Sequence, residues 1–297
     1  MAATLAATLS VIGTSVARLG RLQGQAKRLR LPWIPVTVLI VLVVCAAFAP
    51  LLAPHNPTDI NIPDAKMSPG ETLTHPLGTD TLGRDILSRL IYGARTSVFI
   101  SLVALATGAF VGTLLGLISG YRGGWVDALI TRFADATLGF PSILVAMLIV
   151  VFLGVGIENI VLAVALTVWA RFTRMVRGDV LSVKERDFVT LAKIAGVNTR
   201  VILWRHIFPN VANTLMVITS LQVGQVILLE ASLSFLGLGL PPGAPAWGIM
   251  VAEGREVILD VWWLSLFPGL AIMSVVLAFN FFGDWLRDTL DPKLRRL

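Results

Sequence analysis

The sequence predicts an all-α integral membrane protein with six transmembrane helices. Apolar residues make up 56% of the 297 residues, charged residues make up 14%, and the mean hydropathy is +0.81. A soluble domain usually contains about 25% charged residues, so this chain has too few charges to cover a water-facing surface. Several runs of about 17 or more mostly apolar residues are long enough to cross a bilayer as helices.

Six apolar runs mark the predicted spans, and polar or glycine-rich segments separate them. The runs cover residues 34–53, 98–119, 138–157, 154–170, 211–236 and 262–282. Pro141 lies in the first turns of the third run, where a proline disturbs a helix least. Residues 120–136 are predicted to form a short loop, and a long basic segment is predicted to begin at Arg171, where the fourth span ends.

The positive charges predict the orientation of the chain. If the amino terminus is cytoplasmic, 19 of the 24 Lys and Arg residues lie in cytoplasmic segments, as the positive-inside rule requires. We therefore expect a multi-pass protein of the cell (cytoplasmic) membrane with both termini in the cytoplasm. The basic residues flank apolar runs, where lipid headgroups attract them, so no nucleic-acid partner is expected.

This orientation divides the chain into five segments. They are a cytoplasmic amphipathic segment (1–33), a first transmembrane helix (34–54), an extracytoplasmic segment (55–94), a five-helix domain (95–283) and a cytoplasmic tail (284–297). In the first segment, Leu5, Leu9, Ile12 and Val16 recur at steps of three and four. This spacing predicts an amphipathic helix on the cytoplasmic membrane face, with a disordered tail as the alternative.

Three glycines recur every four residues in the second run. Gly108, Gly112 and Gly116 would form a stripe on one helix face, where a neighbouring helix can approach closely. The alternative is that membrane helices simply tolerate glycine at these positions.

The sequence offers little enzymatic chemistry. It contains no glycine-rich loop that ends in Gly-Lys-Ser/Thr, the usual cradle for nucleotide phosphates. The three histidines, His55, His75 and His206, are scattered along the chain, and Cys45 is the only cysteine. We therefore expect a non-catalytic chain without a cofactor or a metal site of its own.

Residues 184–210 are too polar to span a membrane but contain a helical pattern. A helix is predicted around residues 187–195, Gly196 offers a stop, and Asn198 is suited to cap a second helix. The apolar residues Phe188, Leu191, Ala192 and Ala195 would be available to a partner protein. A solvated loop is the alternative, although such a loop would not need this apolar periodicity.

This segment resembles the cytoplasmic signature of the permeases of binding-protein-dependent ABC importers. The signature reads Glu-Ala-Ala, three residues, Gly, nine residues and Ile-x-Leu-Pro; here Ala192, Gly196 and Pro209 match it, whereas Thr190, Leu191, His206 and Phe208 depart from it. The resemblance implies a loop that docks on an ATPase and couples it to transport. Its implied residues are Asp187, Phe188, Thr190, Leu191, Ala192, Gly196, Val197, Arg205, His206, Pro209 and Asn210.

Three further stretches resemble the dipeptide/oligopeptide/nickel branch of this family, and specifically its second (C-type) transmembrane subunit. They are residues 75–85 (HPLGTDTLGRD), 233–248 (LSFLGLGLPPGAPAWG) and 279–293 (FNFFGDWLRDTLDPK). The first stretch supplies the family motif that is expected outside the membrane. Its implied residues are His75, Leu77, Gly78, Thr79, Asp80, Gly83, Arg84 and Asp85.

The resemblance implies a type I ABC importer permease fold with an extra N-terminal helix, in which residues 95–283 are the permease domain. It also implies a heterodimer with a homologous second permease and an extracytoplasmic substrate-binding protein. The ATPase would be two ATP-binding subunits or one fused chain, which would hold the ATP and Mg²⁺. The expected substrates are dipeptides or oligopeptides, with nickel chelates, glutathione and oligosaccharides as alternatives. A stand-alone secondary transporter or channel would instead show inverted repeats or ionisable residues at mid-membrane.

Several single residues have competing interpretations. Glu230 lies within the fifth run, where an ionisable group is costly and often functional, so it is a possible pathway residue. Its position near the outer interface also allows it to snorkel or pair. The acidic residues Glu253, Glu256 and Asp260 are expected to form a solvated face rather than a contact with a binding protein. His75 is expected to cap a helix or pack a loop rather than to bind a metal.

Overall fold

The computed structural model describes residues 31–290, and within this range the chain is helical with no β-strand. The helices are α1 (Trp33–Ala47), α2 (Ala49–Leu52), α3 (Ile86–Arg122), α4 (Gly124–Leu138), α5 (Ser142–Leu153), α6 (Ile157–Val183), α7 (Asp187–Ile194), α8 (Thr199–Val201), α9 (Phe208–Phe235), α10 (Trp247–Arg255) and α11 (Trp263–Leu290). A π-helical stretch, Ile202–Ile207, joins α8 to α9. The predicted helix of segment 1–33 and residues 291–297 of the charged tail lie outside the described residues.

The all-helical membrane architecture is confirmed, but length and composition alone do not give six spans. Four helical bodies of the described chain are long and apolar enough to cross a membrane: α3, α6, the continuous helix Thr199–Phe235, and α11. A fifth arises if α4 and α5, which meet at an angle of 93°, count as one broken span. The first predicted span contains an apolar helix of only 15 residues, α1, which a bend at Phe48 separates from α2.

Helix α3 begins well before the predicted start at residue 98. Asp85 occupies the N-cap position, and its carboxylate accepts a hydrogen bond of 2.7 Å from the Ser88 backbone N–H. Such a cap satisfies one of the amide groups that a helix start leaves free. The polar residues Arg89 and Arg95 therefore lie on the helix, and the proposed boundary between residues 94 and 95 falls within it.

The prediction of a loop at residues 120–136 is wrong, because residues 124–138 form α4. Hydropathy does not reveal this helix, because it is amphipathic. Asp127 of α4 accepts two hydrogen bonds from Arg177 of α6, at 2.5 and 2.6 Å.

The third predicted span is shorter than expected. Pro141 occupies the N-cap of α5 rather than its first turn, and Gly154 ends α5 with φ at 90°.

The prediction that the fourth span ends at Arg171 is also wrong. Helix α6 continues to Val183, and Arg174 forms an ion pair with Asp135 of α4. Arg174 and Arg177 of α6 thus pair with acidic residues of α4, and the helix continues through them. The last helix, α11, likewise continues beyond residue 282 to Leu290.

The predicted glycine stripe is confirmed as the contact between α3 and α6. A Cβ atom at Gly112 would overlap the carbonyl oxygen of Trp169, and one at Gly116 would lie 2.8 Å from that of Thr173. Gly108 is equally tight, with a Cβ position 2.9 Å from a carbonyl oxygen of α6. The Thr173 hydroxyl also donates a hydrogen bond of 3.1 Å to the Gly112 carbonyl. The stripe therefore lets the two backbones touch.

The remaining helices extend this pair into two apolar clusters. The larger cluster joins residues of α1, α3, α5, α6, α9, α10 and α11. The smaller one packs α7 and the π-helical stretch against the ends of α3 and α6 and the start of α9, through residues that include Leu117, Val180, Val189, Ile202 and Val211. Helix α7 is thereby fixed to the end of the helical body that lies away from residues 75–85.

Gly112→Ala should destabilise the protein, because the new methyl group meets the Trp169 carbonyl rather than open space. Overpacking of this kind typically costs about 1–3 kcal/mol. Gly178→Ala on α6 is the matched control, since no atom other than the adjoining backbone of α6 lies within 4 Å of the Cβ position at Gly178. Alanine there should be neutral or stabilising, because glycine weakens a helix interior. Thermal unfolding of the two variants in detergent measures the difference, and equal unfolding temperatures would refute the tight contact.

Candidate functional site

Residues 75–85, called the motif segment here, form a tight turn that ends at the N-terminus of α3. Asp80 accepts hydrogen bonds from the backbone N–H groups of Leu82 at 2.8 Å and Arg84 at 2.9 Å. Gly78 and Gly83 have φ values of 77° and 76°, a region that side chains disfavour. A Cβ atom at Gly83 would also overlap the carbonyl of Asn61. The glycines of the motif are therefore required by the backbone.

Four charged side chains connect the motif segment to α10. Arg89 places Nη1 2.6 Å from Asp80 and 2.7 Å from Glu253, while Arg84 lies 2.5 Å from Asp80 and 3.1 Å from Glu253. The Arg89 and Asp80 side chains are completely buried. Buried charges persist only when they are paired and hydrogen-bonded. We call these four residues the ion-pair network.

The ion-pair network corrects one expectation. Glu253 was expected on a solvated acidic face, but its side chain is only 24% exposed and binds two arginines. Glu256 and Asp260 are exposed, as expected. The difference arises because Glu253 faces α3, which the local sequence around it does not reveal.

Two tryptophans fix the same region to the helices. Trp263 at the start of α11 donates a hydrogen bond of 3.0 Å to the Thr79 carbonyl. Trp247 at the start of α10 donates one of 3.0 Å to the Leu90 carbonyl of α3. Leu77, the remaining motif residue, packs against the larger apolar cluster. Each predicted residue of the motif segment thus lies in one connected structure.

His75 is buried, in agreement with the expected role in loop packing, and its Nδ1 lies 3.0 Å from Asp85 Oδ1. The expectation that the three histidines are scattered is wrong for two of them. The rings of His55 and His75 stack with centroids 4.6 Å apart. Their separation of 20 positions in the sequence concealed this contact.

At the opposite end of the helical body, the predicted helix–glycine–helix pattern of residues 184–210 is confirmed. Helix α7 is followed by Gly196, whose φ of 73° ends the helix in the left-handed region. Asn198 caps α8, because its side chain accepts a hydrogen bond of 3.0 Å from the Arg200 N–H. The Val197 N–H returns to the Ala192 carbonyl at 3.1 Å. Two short helical elements joined at a glycine form this end of the molecule.

One face of α7 is apolar and exposed. Leu191 is 64% exposed, Ile194 is 78% exposed, and Phe188 is 38% exposed. Ala195 is exposed as expected, but the expectation that Ala192 faces a partner is wrong, because Ala192 is buried in the smaller apolar cluster. Phe188, Leu191 and Ile194 are called the α7 surface from here on.

The other predicted residues of this segment surround the α7 surface. Asp187 and Thr190 are exposed on α7, and Arg205 and Pro209 are exposed near the start of α9. Asp187 occupies the first turn, and Arg186 holds the N-cap position. The ring of His206 lies 6.5 Å from that of Phe188, and Asn210 donates a hydrogen bond of 2.7 Å to the His206 carbonyl. The predicted set is therefore one contiguous region.

Glu230 is fully buried on α9, where its carboxylate accepts a hydrogen bond of 2.9 Å from Ser234. Its second oxygen has no hydrogen-bond partner among residues 31–290. The snorkelling alternative does not fit a side chain without exposure. A pathway role for Glu230 stays a prediction.

Sequence reasoning missed His55, Arg89, Glu253 and Ile194. The sequence does contain a sign of the role of Arg89, since this residue lies one helical turn beyond Asp85, the N-cap residue that ends the motif segment. Ile194 also carried one, because it is three residues beyond Leu191 on the same helix face. Glu253 carried none, since its partner Arg89 is 164 positions away.

The fold and its two polar ends define a multi-pass helical membrane protein. Residues 112–296 match the family described as "Binding-protein-dependent transport system inner membrane component". Residues 27–69 match the "N-terminal TM domain of oligopeptide transport permease C". The chain belongs to the family of binding-protein-dependent transport system inner membrane components, and its resemblance to the C-type permeases of the dipeptide/oligopeptide branch is confirmed.

Curated relatives match along most of the chain. The "Dipeptide transport system permease protein DppC" of Alkalihalophilus pseudofirmus is 41% identical over 91% of this chain and 88% of its own length. The "Glutathione transport system permease protein GsiD" of Pectobacterium atrosepticum is 41% identical over 86% of this chain and 85% of its own length. The "Di/tripeptide transport system permease protein DppC" of Pseudomonas aeruginosa is 41% identical over 86% of both chains.

A solved structure described as "Crystal structure of an amino acid ABC transporter with histidines" covers 71% of this chain and 95% of its own chain. Its TM-score is 0.49 at 15% identity. Membership of the family rests on the family matches and the curated relatives.

Arg89→Leu should destabilise the protein strongly, because it leaves the buried Asp80 and the partly buried Glu253 with fewer positive partners. Breaking a buried charge pair by removing one partner costs about 3–5 kcal/mol. Arg95→Leu on the same helix is the control, since Arg95 is exposed. Thermal unfolding in detergent should show a large drop for the first variant and little change for the second. Unfolding temperatures that fall equally would show that the ion-pair network does not hold this region together.

Proposed function

We propose that this chain is one of two permease subunits of an ATP-driven, binding-protein-dependent importer of dipeptides or oligopeptides. The observation that carries this proposal is the similarity to transport permeases along nearly the whole chain, two of them named for dipeptides or for di- and tripeptides. A second candidate substrate is glutathione, itself a small peptide-like molecule, because another relative of equal identity is named for it.

Six spans are consistent with the helices if two irregular elements also cross the membrane. Helices α1 and α2 together reach from Trp33 to Leu52, about the 20 residues that a span requires. The bent pair α4 and α5 supplies another crossing. Helices α3, α6, α9 and α11 supply the other four, so that α3 to α11 form the permease core and α1 is the additional N-terminal helix.

The orientation follows from the charges. The α7 end carries most of the basic residues, including Arg174, Arg177 and Lys184, so the positive-inside rule places it in the cytoplasm. The motif segment and α10 then lie outside. There, the turn between α10 and α11 exposes Ile258 and Leu259, an apolar pair that suits contact with an extracytoplasmic substrate-binding protein.

The α7 surface is the proposed contact with the ATPase. Exposed apolar side chains on a short helix outside the membrane are typical of an interface with another protein. Movement of the bound ATPase would shift α7, and α7 is packed on α3, α6 and α9 through the smaller apolar cluster. ATP binding would thereby bias two arrangements of the helices, which is a coupling free energy between separate sites.

The chain itself contributes no ATP chemistry in this proposal. Its sequence lacks a phosphate-binding loop, so ATP and Mg²⁺ would be held by two ATP-binding subunits or by one fused chain. A related second permease completes the pathway as a heterodimer. The role of this chain is to form half of the pathway and to transmit the motion of the ATPase.

Uptake by the reconstituted complex tests this function. In proteoliposomes, entry of a labelled dipeptide should require internal ATP, the binding protein and this permease. Unlabelled glutathione in excess should compete only if glutathione is also a substrate. An ATPase subunit whose phosphate-binding lysine is substituted is the control and should abolish uptake. Uptake that persists without ATP, driven by an ion gradient, would identify a secondary transporter instead.

A further inference from the structure

Three potential metal ligands converge beside the start of α3. His55 follows α2, His75 opens the motif segment, and Asp85 caps α3. One ligand atom from each of the three residues lies within 4.8 Å of the others. The His55 backbone N–H also donates a hydrogen bond of 3.0 Å to the Ser88 hydroxyl, which holds His55 against α3. Three separate parts of the chain thus bring this group together.

The imidazole of His55 has a nitrogen atom without a partner. Its Nδ1 is inaccessible to solvent and has no hydrogen-bond partner among the described residues. The nearest Asp85 oxygen lies 3.9 Å away, beyond hydrogen-bonding distance. A buried polar nitrogen without a partner costs free energy, and packing of the loop does not explain it. The atom faces the carboxylate that also binds His75.

We propose that His55, His75 and Asp85 bind one divalent transition-metal ion of the zinc class. Imidazole nitrogen and carboxylate oxygen are ordinary Zn²⁺ ligands, at about 2.0–2.2 Å from the ion, so neighbouring ligands of a tetrahedral site lie about 3.3–3.5 Å apart. Asp85 Oδ1 lies 3.0 Å from His75 Nδ1, and Asp85 Oδ2 lies 3.9 Å from His55 Nδ1, on either side of this value. Binding of the ion would replace the hydrogen bond between His75 Nδ1 and Asp85 Oδ1, with both groups becoming ligands, and would turn the two stacked rings toward the ion.

The surroundings favour one ion rather than a simple hydrogen bond. The Asp85 side chain is fully buried and that of His75 nearly so, so few water molecules compete for these two ligands, whereas the His55 side chain is 38% exposed. Asp64 lies near the cluster, with Oδ2 3.8 Å from His75 Nε2. A carboxylate beside the outer nitrogen of a ligating histidine orients the ring, as in many zinc sites. The fourth ligand of the ion would be water.

The ion would have a structural consequence. It would join residues 55, 75 and 85 directly, and so fix the segment between α2 and α3 to the end of the helical core. Since the site exists only in the folded chain, the binding free energy adds to the stability of this region. The motif segment would then be held on one side by the ion-pair network and on the other side by the metal.

Metal binding by the full-length chain tests this inference. The protein would be purified in detergent with an affinity tag that contains no histidine, stripped of metal and titrated with Zn²⁺. Co²⁺, which gives visible absorption bands in a tetrahedral site, would serve as a second probe. Wild type should bind one ion per chain, and His55→Ala should bind more than about tenfold more weakly, because even second-sphere changes weaken metal sites by 10–100-fold.

Two further variants separate a metal site from general damage. His206→Ala removes the one other histidine of the chain and should bind Zn²⁺ as wild type does. Asp85→Asn keeps an oxygen that can cap α3 but loses the charge, so it should fold and bind the ion weakly. Zn²⁺ should raise the unfolding temperature of wild type and of His206→Ala only. Absence of binding by wild type, or equal binding by His55→Ala and His206→Ala, would overturn the proposal.

Discussion

The close approach of α3 and α6 is the contact on which the rest of the structure depends. Gly108, Gly112 and Gly116 bring the two backbones together, and no apolar driving force distinguishes helix from lipid inside a membrane, so this close packing must hold them. One end of α3 carries the motif segment, while α6 leads directly into α7 at the other end. A single helix pair therefore fixes the distance between the motif segment and the proposed contact with the ATPase.

Ion pairs connect the α3–α6 pair to neighbouring parts of the chain at both of its ends. At the end of the motif segment, Arg89 is buried between Asp80 and Glu253. At the α7 end, Arg177 donates two hydrogen bonds to Asp127 of α4. Each pair joins elements that are far apart in the sequence. A fully buried charge such as that of Arg89 would be costly without its partner, whereas Arg177 and Asp127 are partly exposed. Both pairs specify which helices meet, and the helices bring the α7 surface and the motif segment to opposite ends.

The sequence predicted the features that depend on local chemistry. Apolar runs indicated the membrane helices, the four-residue spacing revealed the glycine contact, and Gly196 marked the end of α7. The prediction failed where a residue's role depends on a distant partner. Hydropathy does not reveal α4, because this helix is amphipathic and its Asp127 pairs with Arg177 of another helix. The local sequence does not reveal the role of Glu253, because its arginine partners lie far away in the sequence. Hydropathy also ended α6 at Arg171, although the next arginines are neutralised by α4.

The central claim is that α7 is the part of this permease that the ATPase contacts, and proximity measures this most directly. In a Cys45→Ala chain, which has no other cysteine, Leu191→Cys would be coupled to a short thiol-to-amine cross-linker in the purified complex. The account predicts a covalent product with the ATPase subunit. Leu73→Cys, fully exposed near the motif segment, should give none. Absence of a product from Leu191→Cys, or an equal yield from Leu73→Cys, would contradict the account.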